Sequence, residues 1–279
     1  MRFAIKTSPQ ETTWEDMLAV WMAADELEVF ESGWTFDHFY PIFSDPTGPC
    51  LEGWVTLAAL AQATTRLRVG VLVTGIHYRH PAVLANMAAT LDIVSNGRLE
   101  LGIGAGWNEE ESGDYGIHLG SLKERFDRFD EACEVIVSLL SNTTTDFSGE
   151  HYELRGARCE PKPVQRPLPP ICIGGKGEKR TLRAAARFAD HWNFPGGPIE
   201  EFVAKRDALH RHCADVGRDP SEIWTSTHLR LGADGDPSGV VEQAKAYADA
   251  GLDLGIVYLP QPHTPAVLGP LAAALAPLR

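Results

Sequence analysis

The residues best suited to chemistry lie in two glycine-rich stretches, each after a short apolar run. In "GRLELGIGAGWNEEE", residues 97–111, alternate glycines including Gly104 and Gly106 precede Asn108 and three glutamates. A dinucleotide cradle needs G-x-G-x-x-G at a helix start, where backbone N–H groups meet a pyrophosphate. Three carboxylates there would repel phosphate, so this stretch favours a neutral ring, to which Asn108 can offer donors and an acceptor. The glycines could instead only relieve crowding at a strand end.

The second stretch, "IGGKGEKRT" from Ile173, resembles an anion site more closely. Its glycines permit close backbone approach, its cations supply positive charge, and a helix is expected to begin near Glu178. These candidate phosphate-binding residues are Gly174, Gly175, Lys176, Gly177 and Arg180. No Gly-Lys-Ser/Thr closes the loop, so it is not a P-loop. A plain glycine turn before a solvated basic helix start is the alternative.

His38, in the stretch "FDHF", is the leading catalytic candidate. An imidazole can donate or accept a proton near neutral pH, as general acid–base catalysis requires. The alternative is that Asp37 or a backbone group holds His38 only to shape the loop.

The spacing of His77 and His80 could suggest a metal, but no third ligand presents itself. His80 precedes Pro81 and is expected to cap a helix, so no metal site is predicted. We instead assign His77 to a substrate wall, together with the aromatic residues Trp107 and Trp192.

The glutamates at 109–111 are predicted to form the first turn of a helix, where acids suit the helix dipole. One of them could still pair with Arg79 or reach the substrate.

Composition limits the possible partners. The formal charge of −13 disfavours a general nucleic-acid binder, since phosphate binding needs excess cations. Five scattered cysteines without a C-x-x-C pair favour free thiols. No apolar run is long enough to span a membrane, so a cytoplasmic protein is expected.

Strand-like and helical patterns alternate along the whole chain. Candidate strands lie at 2–6, 30–36, 68–74, 98–103, 170–173, 191–194, 223–231 and 255–260. Helical patterns fall at 11–28, 53–66, 81–95, 121–141, 178–188, 199–217, 238–250 and 265–277. This alternation predicts an α/β fold, a (β/α)8 TIM barrel, with its active site at the C-terminal ends of the strands.

One segment, 142–169, is too long for an ordinary connection and has no helical period. We interpret it as an insertion before strand five, with "DFSGEHYEL" forming a small hairpin around Ser148 and Gly149. No repeat or linker divides the chain, so residues 1–279 are predicted to form one domain.

Taken in order, these motifs resemble a known family. "FDHF", "VTGIHYRHPAVLANMAATLDIVSNGRLELGIGAGWNEEE" and "PKPVQRPLPPICIGGKGEKRTLRAAARFADHWN" are similar to the bacterial luciferase-like superfamily of flavin and deazaflavin enzymes. Within it, the chain most resembles the branch that uses the deazaflavin coenzyme F420. The resemblance runs from about residue 2 to about residue 195.

The resemblance implies a cofactor ring over the strand ends and a phosphate near "GGKG". The residues that it places around the cofactor are Asp37, His38, Val71, Leu72, Thr74, Gly104, Gly106, Asn108, Ile173, Gly174, Gly175, Lys176, Gly177 and Arg180. It also implies a non-proline cis peptide near Val71-Leu72, a homodimer and a small-molecule substrate.

One departure concerns the position after the strand-four glycine. Sugar-phosphate dehydrogenases of this superfamily have a glutamate where this chain has Trp107, which argues against a glucose-6-phosphate-like activity. The expected function is an F420-dependent oxidoreductase that transfers hydride between the cofactor and a small organic substrate. The alternatives are an FMN-dependent monooxygenase working with a separate reductase, and a non-catalytic flavin-binding barrel.

Overall fold

The computed structural model describes residues 1–42 and 44–279, and parallel strands in it close into a barrel. The strands of the barrel are β1 (Arg2–Lys6), β2 (Phe30–Thr35), β3 (Arg68–Val71), β4 (Thr74–Gly75), β5 (Leu99–Gly104), β8 (Ile171–Gly174), β9 (His191–Phe194), β10 (Trp224–Arg230) and β11 (Leu254–Tyr258). The sheet runs β3-β2-β1-β11-β10-β9-β8-β5, and pairing of β3 with β5 closes it. The predicted TIM barrel is confirmed.

Helices follow the strands and cover the outside of the barrel. They are α1 (Trp14–Asp25), α2 (Gly53–Ala63), α3 (Pro81–Val94), α4 (Glu109–Asp114), α5 (Leu122–Ser141), α6 (Thr181–Phe188), α7 (Ile199–Val216), α8 (Ser238–Asp249) and α9 (Leu268–Leu275). Short 3-10 turns lie at Pro220–Glu222, Pro265–Val267 and Ala276–Leu278. None of the helices in the described ranges is long and apolar enough to cross a membrane.

The third barrel strand is split where β3 ends and β4 begins. Both halves pair with β5, and the intervening residues Leu72 and Val73 leave the ladder. At this break β5 approaches so closely that a Cβ on Gly102 would lie 1.9 Å from the carbonyl oxygen of Val71. Only glycine can occupy that position without moving the third strand.

Two apolar regions hold the barrel together. The larger one lies between the sheet and the helices, where residues such as Phe3, Trp21 and Phe129 are fully buried. A smaller cluster fills the barrel interior and consists of Ala4, Trp34, Leu72, Cys172, Leu254 and Ile256. Because these side chains fill the interior, a ligand must bind at the C-terminal ends of the strands.

The segment before the fifth barrel position contains a hairpin. Its strands, β6 (Thr145–Ser148) and β7 (Glu153–Ala157), pair antiparallel and stand apart from the barrel sheet. Glu131 of α5 holds the turn, since its carboxylate accepts hydrogen bonds from the backbone N–H groups of Glu150, His151 and Tyr152. The predicted insertion therefore folds as a small hairpin docked on α5.

Candidate active site

A cavity of about 420 Å3 opens at the C-terminal ends of the barrel strands. This volume lies in the range of small-molecule sites. The predicted site residues that line it are His38, Leu72, His77, Gly104, Gly106, Trp107, Gly174 and Gly175. The sequence-based position of the site therefore agrees with the position of this cavity.

His38 is held at the cavity wall by a buried glutamate. Nδ1 of His38 lies 2.7 Å from Oε2 of Glu111, and the Glu111 side chain is 0% exposed. The same carboxylate accepts hydrogen bonds from the backbone N–H of Phe39 at 2.6 Å and from the hydroxyl of Tyr78 at 2.5 Å. Asn108 caps α4 and, at 3.2 Å, accepts the N–H of Glu111. The cap fixes the helix that carries the carboxylate.

Glu111 is ionised in this arrangement. Burial alone would raise the pKa of its carboxyl, but the hydrogen bonds from His38, Tyr78 and Phe39 outweigh burial and lower that pKa. Burial and the adjacent carboxylate raise the pKa of Tyr78, so this phenol stays protonated and keeps donating to Glu111. A fixed negative charge thus lies against Nδ1 of His38 and orients its ring. The three glutamates form the first turn of α4 as predicted, and Glu111 in addition binds His38.

Asp37 supports the loop and does not line the cavity. Its side chain is 1% exposed and binds Arg79 through contacts of 2.5 and 3.0 Å. Arg79 also contacts Glu52, the N-cap of α2, at 2.5 Å. Arg79 therefore pairs with these two acids and not with the glutamates at 109–111 as the sequence suggested. The contribution of Asp37 is to anchor the residue that precedes His38.

His77 and the nearby glycines form another wall. Gly106 has a φ of +87°, and a Cβ added to it would lie 2.4 Å from Nδ1 of His77. Nε2 of His77 lies 3.2 Å from the hydroxyl of Ser112, while Nδ1 is buried with no hydrogen-bond partner in the described part of the chain. Burial and the Arg125 cation lower the pKa of His77 to about 4, so it is neutral at neutral pH.

Only some of the predicted residues of the third strand line the cavity. Leu72 and Val73 line the cavity, and the peptide bond between them is cis. The cis bond was expected near Val71-Leu72 and lies one residue later. Val71 is buried and does not line the cavity, and Thr74 accepts a hydrogen bond from Nε1 of Trp54 at 2.8 Å. Both support the strand break.

The cations of the predicted phosphate loop are bound to carboxylates. Nζ of Lys176 lies 2.9 Å from Glu201, and Arg180 lies 2.6 Å from Asp127 and 3.3 Å from Asp130. Neither cation lines the cavity; its lining here is the backbone of Gly174 and Gly175 with the side chain of Thr181. Ile173 is fully buried behind this wall, and Gly177 accepts the N–H of Leu182 through its carbonyl. Helix α6 begins at Thr181, later than expected.

The two tryptophans assigned to a substrate wall have different environments. Trp107 lines the cavity, is 60% exposed, and has its ring centroid 5.5 Å from that of His38. Trp192 is 0% exposed, stacks on Phe202 and donates to the carbonyl of Gly175 at 2.8 Å. Its strand turns this side chain outward, toward α7. Trp192 therefore cannot contact a substrate in this structure, and that assignment is corrected.

Several lining residues were missed in the sequence. Those with polar or charged side chains are Lys6, Tyr78, Thr181, Asn193, His228, Arg230 and Tyr258. Lys6 ends β1, and His228 and Arg230 alternate at the end of β10. Charged residues at the C-terminal ends of barrel strands were the available signal, because that end carries the site in this fold.

The sequence as a whole matches one protein family. The model of the luciferase-like monooxygenase family matches residues 1–276, nearly the full chain. This chain belongs to the luciferase-like monooxygenase family. The predicted superfamily is therefore confirmed.

Curated relatives within the luciferase-like family point to one branch. The chain is 28% identical over 255 residues to an F420-dependent glucose-6-phosphate dehydrogenase from Microbacterium testaceum, covering 90% of this chain and 74% of that protein. It is 30% identical over 239 residues to the enzyme of the same name from Kineococcus radiotolerans, covering 84% and 69%. These similarities confirm the resemblance to the F420-dependent branch.

A solved structure shares the luciferase-like fold along the full chain. An F420-dependent secondary alcohol dehydrogenase, in complex with an F420-acetone adduct, superposes with a TM-score of 0.89 at 19% identity. The match covers 100% of this chain and 99% of that one.

Although this chain lacks a glutamate at position 107, a carboxylate still contacts His38. Trp107 stands after the strand-four glycine, where the resemblance implies a glutamate in sugar-phosphate dehydrogenases, and Glu111 reaches back from α4 to His38. The Trp107 side chain forms an aromatic wall, while the carboxylate comes from four residues further along the chain.

Proposed function

We propose that this chain is an F420-dependent oxidoreductase that transfers hydride between the deazaflavin and a small organic substrate. The observation that carries the proposal is His38, which lines the cavity and is bound through Nδ1 to the buried, ionised Glu111. The F420-dependent names of the curated relatives support the cofactor.

The residues of the cavity fit a flat ring system. Bare backbone at Gly104, Gly106 and Gly174 lines one side, and a side chain on Gly106 would collide with His77. Leu72 and Val73 supply an apolar floor. Nδ1 of His77 is a buried polar atom that no described residue satisfies, so a ring with polar edges could satisfy it. A polyaromatic ring with heteroatoms at its edges suits these walls.

When bound, coenzyme F420 supplies a ring carbon that gives or accepts hydride, and the protein must handle the accompanying proton. The His38 ring nitrogen that does not face Glu111, Nε2, is the atom available for this proton. Glu111 stabilises the imidazolium that forms when Nε2 takes the proton, and it orients the ring. Trp107 and Phe36 cover His38 on two sides, with ring centroids 5.5 and 5.1 Å away, and limit its contact with water.

The phosphate of the cofactor would bind beside Gly174, Gly175 and Thr181. The N–H of Gly175 already donates to the carbonyl of Asn193 at 3.0 Å. The Thr181 hydroxyl and the backbone N–H groups at the start of α6, which has no side-chain cap, are the suitable donors for the phosphate. Lys176 and Arg180 could contribute by exchanging their present carboxylate partners for phosphate oxygens. Their charges also hold the loop against α7 and α5.

The cofactor can be identified by anaerobic titration of the purified protein with coenzyme F420 and, separately, with FMN. We expect quenching of F420 fluorescence at micromolar concentrations and weaker FMN binding. Tight FMN binding with no F420 binding would overturn the proposal in favour of an FMN-dependent monooxygenase.

Catalysis is tested by substrate screening with the His38→Ala variant and a surface control, His210→Ala. We expect both variants to bind F420, and only His38→Ala to lose turnover, by about 100-fold or more. Full turnover in His38→Ala would remove the proposed acid or base. F420 binding without turnover on any tested alcohol, aldehyde or ketone would favour the binding-only alternative.

Two further predictions from the resemblance belong to this proposal: a small-molecule substrate and a homodimer. The cytoplasmic location expected from the sequence stays a prediction beside them. Light scattering coupled to size-exclusion chromatography measures the assembly directly. A mass of one 30.5 kDa chain would contradict the homodimer.

A further inference from the structure

Three basic side chains surround one tyrosine at the cavity wall. Nζ of Lys6 lies 5.2 Å from the ring centroid of Tyr258, and Cζ of Arg230 lies 5.1 Å from it. The ring of His228 meets the same tyrosine edge-on at 6.0 Å. We call Lys6, His228, Arg230 and Tyr258 the basic cluster.

Barrel register brings the basic cluster together. Tyr258 of β11 stands opposite Lys6 on β1 and opposite Arg230 on β10. His228 is two residues before Arg230 and therefore faces the same side of the sheet. All of these residues line the cavity that also holds His38. The cluster thus lies within the site and not on a separate surface.

The charge of the cavity is opposite to that of the chain. The sequence has 38 acidic and 25 basic residues, yet the cavity lining, as far as the structure describes it, includes no aspartate or glutamate. Lys6 is 4% exposed, and its Nζ donates to the carbonyl of Leu72 at 3.0 Å. Nε2 of His228 is buried without a hydrogen-bond partner in the described ranges. The cavity therefore offers buried donors to a negative group.

The basic groups lie close enough that neighbouring charges disfavour the protonated forms of Lys6 and His228. Burial and the Arg230 charge lower the pKa of Lys6 to about 7, and Cys172 is the other ionisable group that influences it. Burial, Lys6 and Arg230 lower the pKa of His228. An anion between them would reverse these effects, since an opposite charge favours the protonated forms. Functional sites commonly contain such mutually perturbed groups.

The cavity continues past the basic cluster. A second cavity, of about 720 Å3, shares Pro195, His228 and Arg230 with the first. Its described lining includes Gly197, Tyr247 and one carboxylate, that of Glu242. A ligand can therefore extend beyond the cofactor ring with Arg230 at the junction.

We propose that the substrate carries an anionic group, a carboxylate or a phosphate ester, which binds among Lys6, His228 and Arg230. The inference rests on the proposed oxidoreductase function and assigns the substrate to the class of small organic anions. The basic cluster lies on β1, β10 and β11, whereas the predicted phosphate site of the cofactor follows β8. The two anionic groups would occupy different parts of the barrel rim.

The test uses calorimetric titration of the full chain with inorganic phosphate and with malonate, in the absence of coenzyme F420. We expect at least one probe to bind with a dissociation constant below about 10 mM, and Arg230→Gln to weaken that binding roughly tenfold or more. Preference for phosphate or for malonate then distinguishes the two anion types. Lys6→Met is a second variant with the same expectation, and circular dichroism confirms its folding.

Arg2→Gln is the matched control, because Arg2 begins the strand that Lys6 ends but does not line the cavity. Its guanidinium pairs with Glu31 at 3.1 Å and lies over the ring of Trp224. It should bind both anions as the unaltered protein does. The inference would be overturned if neither anion binds at about 10 mM, or if Arg230→Gln binds the anion as tightly as the unaltered protein does.

Titration with coenzyme F420 at saturating anion separates this inference from the proposed function. Malonate is the anion used here, because inorganic phosphate would also compete at the proposed cofactor phosphate site. We expect the F420 affinity to be unaffected by malonate and by Arg230→Gln. If Arg230→Gln weakens F420 binding, the basic cluster belongs to the cofactor's own phosphate and the inference fails while the proposed function stands. If F420 does not bind at all, the proposed function fails whatever the anion result.

Discussion

Nδ1 of His38 and Oε2 of Glu111 lie 2.7 Å apart although 73 positions separate them in the chain. The loop after β2 carries the histidine, and the first turn of α4 carries the glutamate. The pair joins a cavity-lining imidazole to a buried carboxylate with three hydrogen-bond donors.

Glu111→Gln should lower kcat about 100-fold and leave the F420 dissociation constant within about twofold, because the variant removes the negative charge that supports a positive His38. Steady-state kinetics on any substrate found by screening, with fluorescence titration of F420, measures both quantities. Glu110→Gln is the control, since Glu110 is the exposed neighbour on the same helix. Equal kcat values for the two variants would show that Glu111 does not act through His38.

Gly106→Ala should destabilise the protein by about 1–3 kcal/mol and weaken F420 binding, because a Cβ there meets strain at φ +87° and the His77 ring. Gly116→Ala is a matched control, with φ +64° and no atom within 4 Å of the added Cβ. Urea unfolding of both variants separates backbone strain from crowding. A Gly116→Ala variant that loses as much F420 affinity as Gly106→Ala would contradict a role for the Gly106 wall.

The pKa of His77, lowered from 6.5 to about 4, predicts a pH effect on stability. Between these values the unfolded chain binds more protons than the folded one, so the free energy of unfolding decreases as pH falls from 6.5 toward 4. His77→Gln removes this contribution and should show a shallower decrease. Denaturant unfolding at pH 7 and at pH 4.5 measures it, with His118→Gln as a surface control. If the free energy of unfolding falls equally between pH 7 and pH 4.5 in the unaltered protein and in His77→Gln, the prediction is wrong.

Lys6→Met should stabilise the ligand-free protein at pH 7, because the cationic Lys6 is buried beside Arg230. The folded pKa of Lys6, about 7, lies below the ordinary lysine value of 10.5, so the unfolded chain binds more protons between these values. The unaltered protein therefore gains stability as pH rises from 7 toward 10.5, and Lys6→Met lacks this gain.

Denaturant unfolding of Lys6→Met and the unaltered protein at pH 7 and pH 9 checks this prediction. The stability advantage of the variant should be smaller at pH 9. If Lys6→Met is no more stable than the unaltered protein at pH 7, or if its stability advantage grows with pH, the charge of Lys6 does not destabilise the ligand-free protein.

Much of the fold could be predicted because it depends on local patterns. Short β-branched runs alternating with amphipathic segments indicate a barrel, and the barrel puts its functional residues at the C-terminal ends of the strands. That reasoning was enough to find His38, Gly104 and Gly106 at the cavity. The hairpin around Ser148 also followed from turn composition and segment length.

Side-chain direction was harder to predict than position. Trp192 lies on a strand whose residues alternate between the barrel interior and the helices, and its ring packs outward on Phe202. Lys176 and Arg180 looked like free cations, but α7 and α5 bring Glu201 and Asp127 to them. Which charges pair depends on the packing of helices distant in sequence.

The sequence by itself determined the family, the barrel and the end of the barrel where ligands bind, because motifs and hydrophobic periods depend on residues that are close together in the chain. Only the tertiary structure decided that Glu111 supports His38 and that Lys6, His228 and Arg230 meet around Tyr258. The first pair depends on the docking of α4, and the basic cluster depends on closure between β1 and β11, which joins the two ends of the chain. Contacts of this kind arise from strand register and helix packing, which no local pattern encodes.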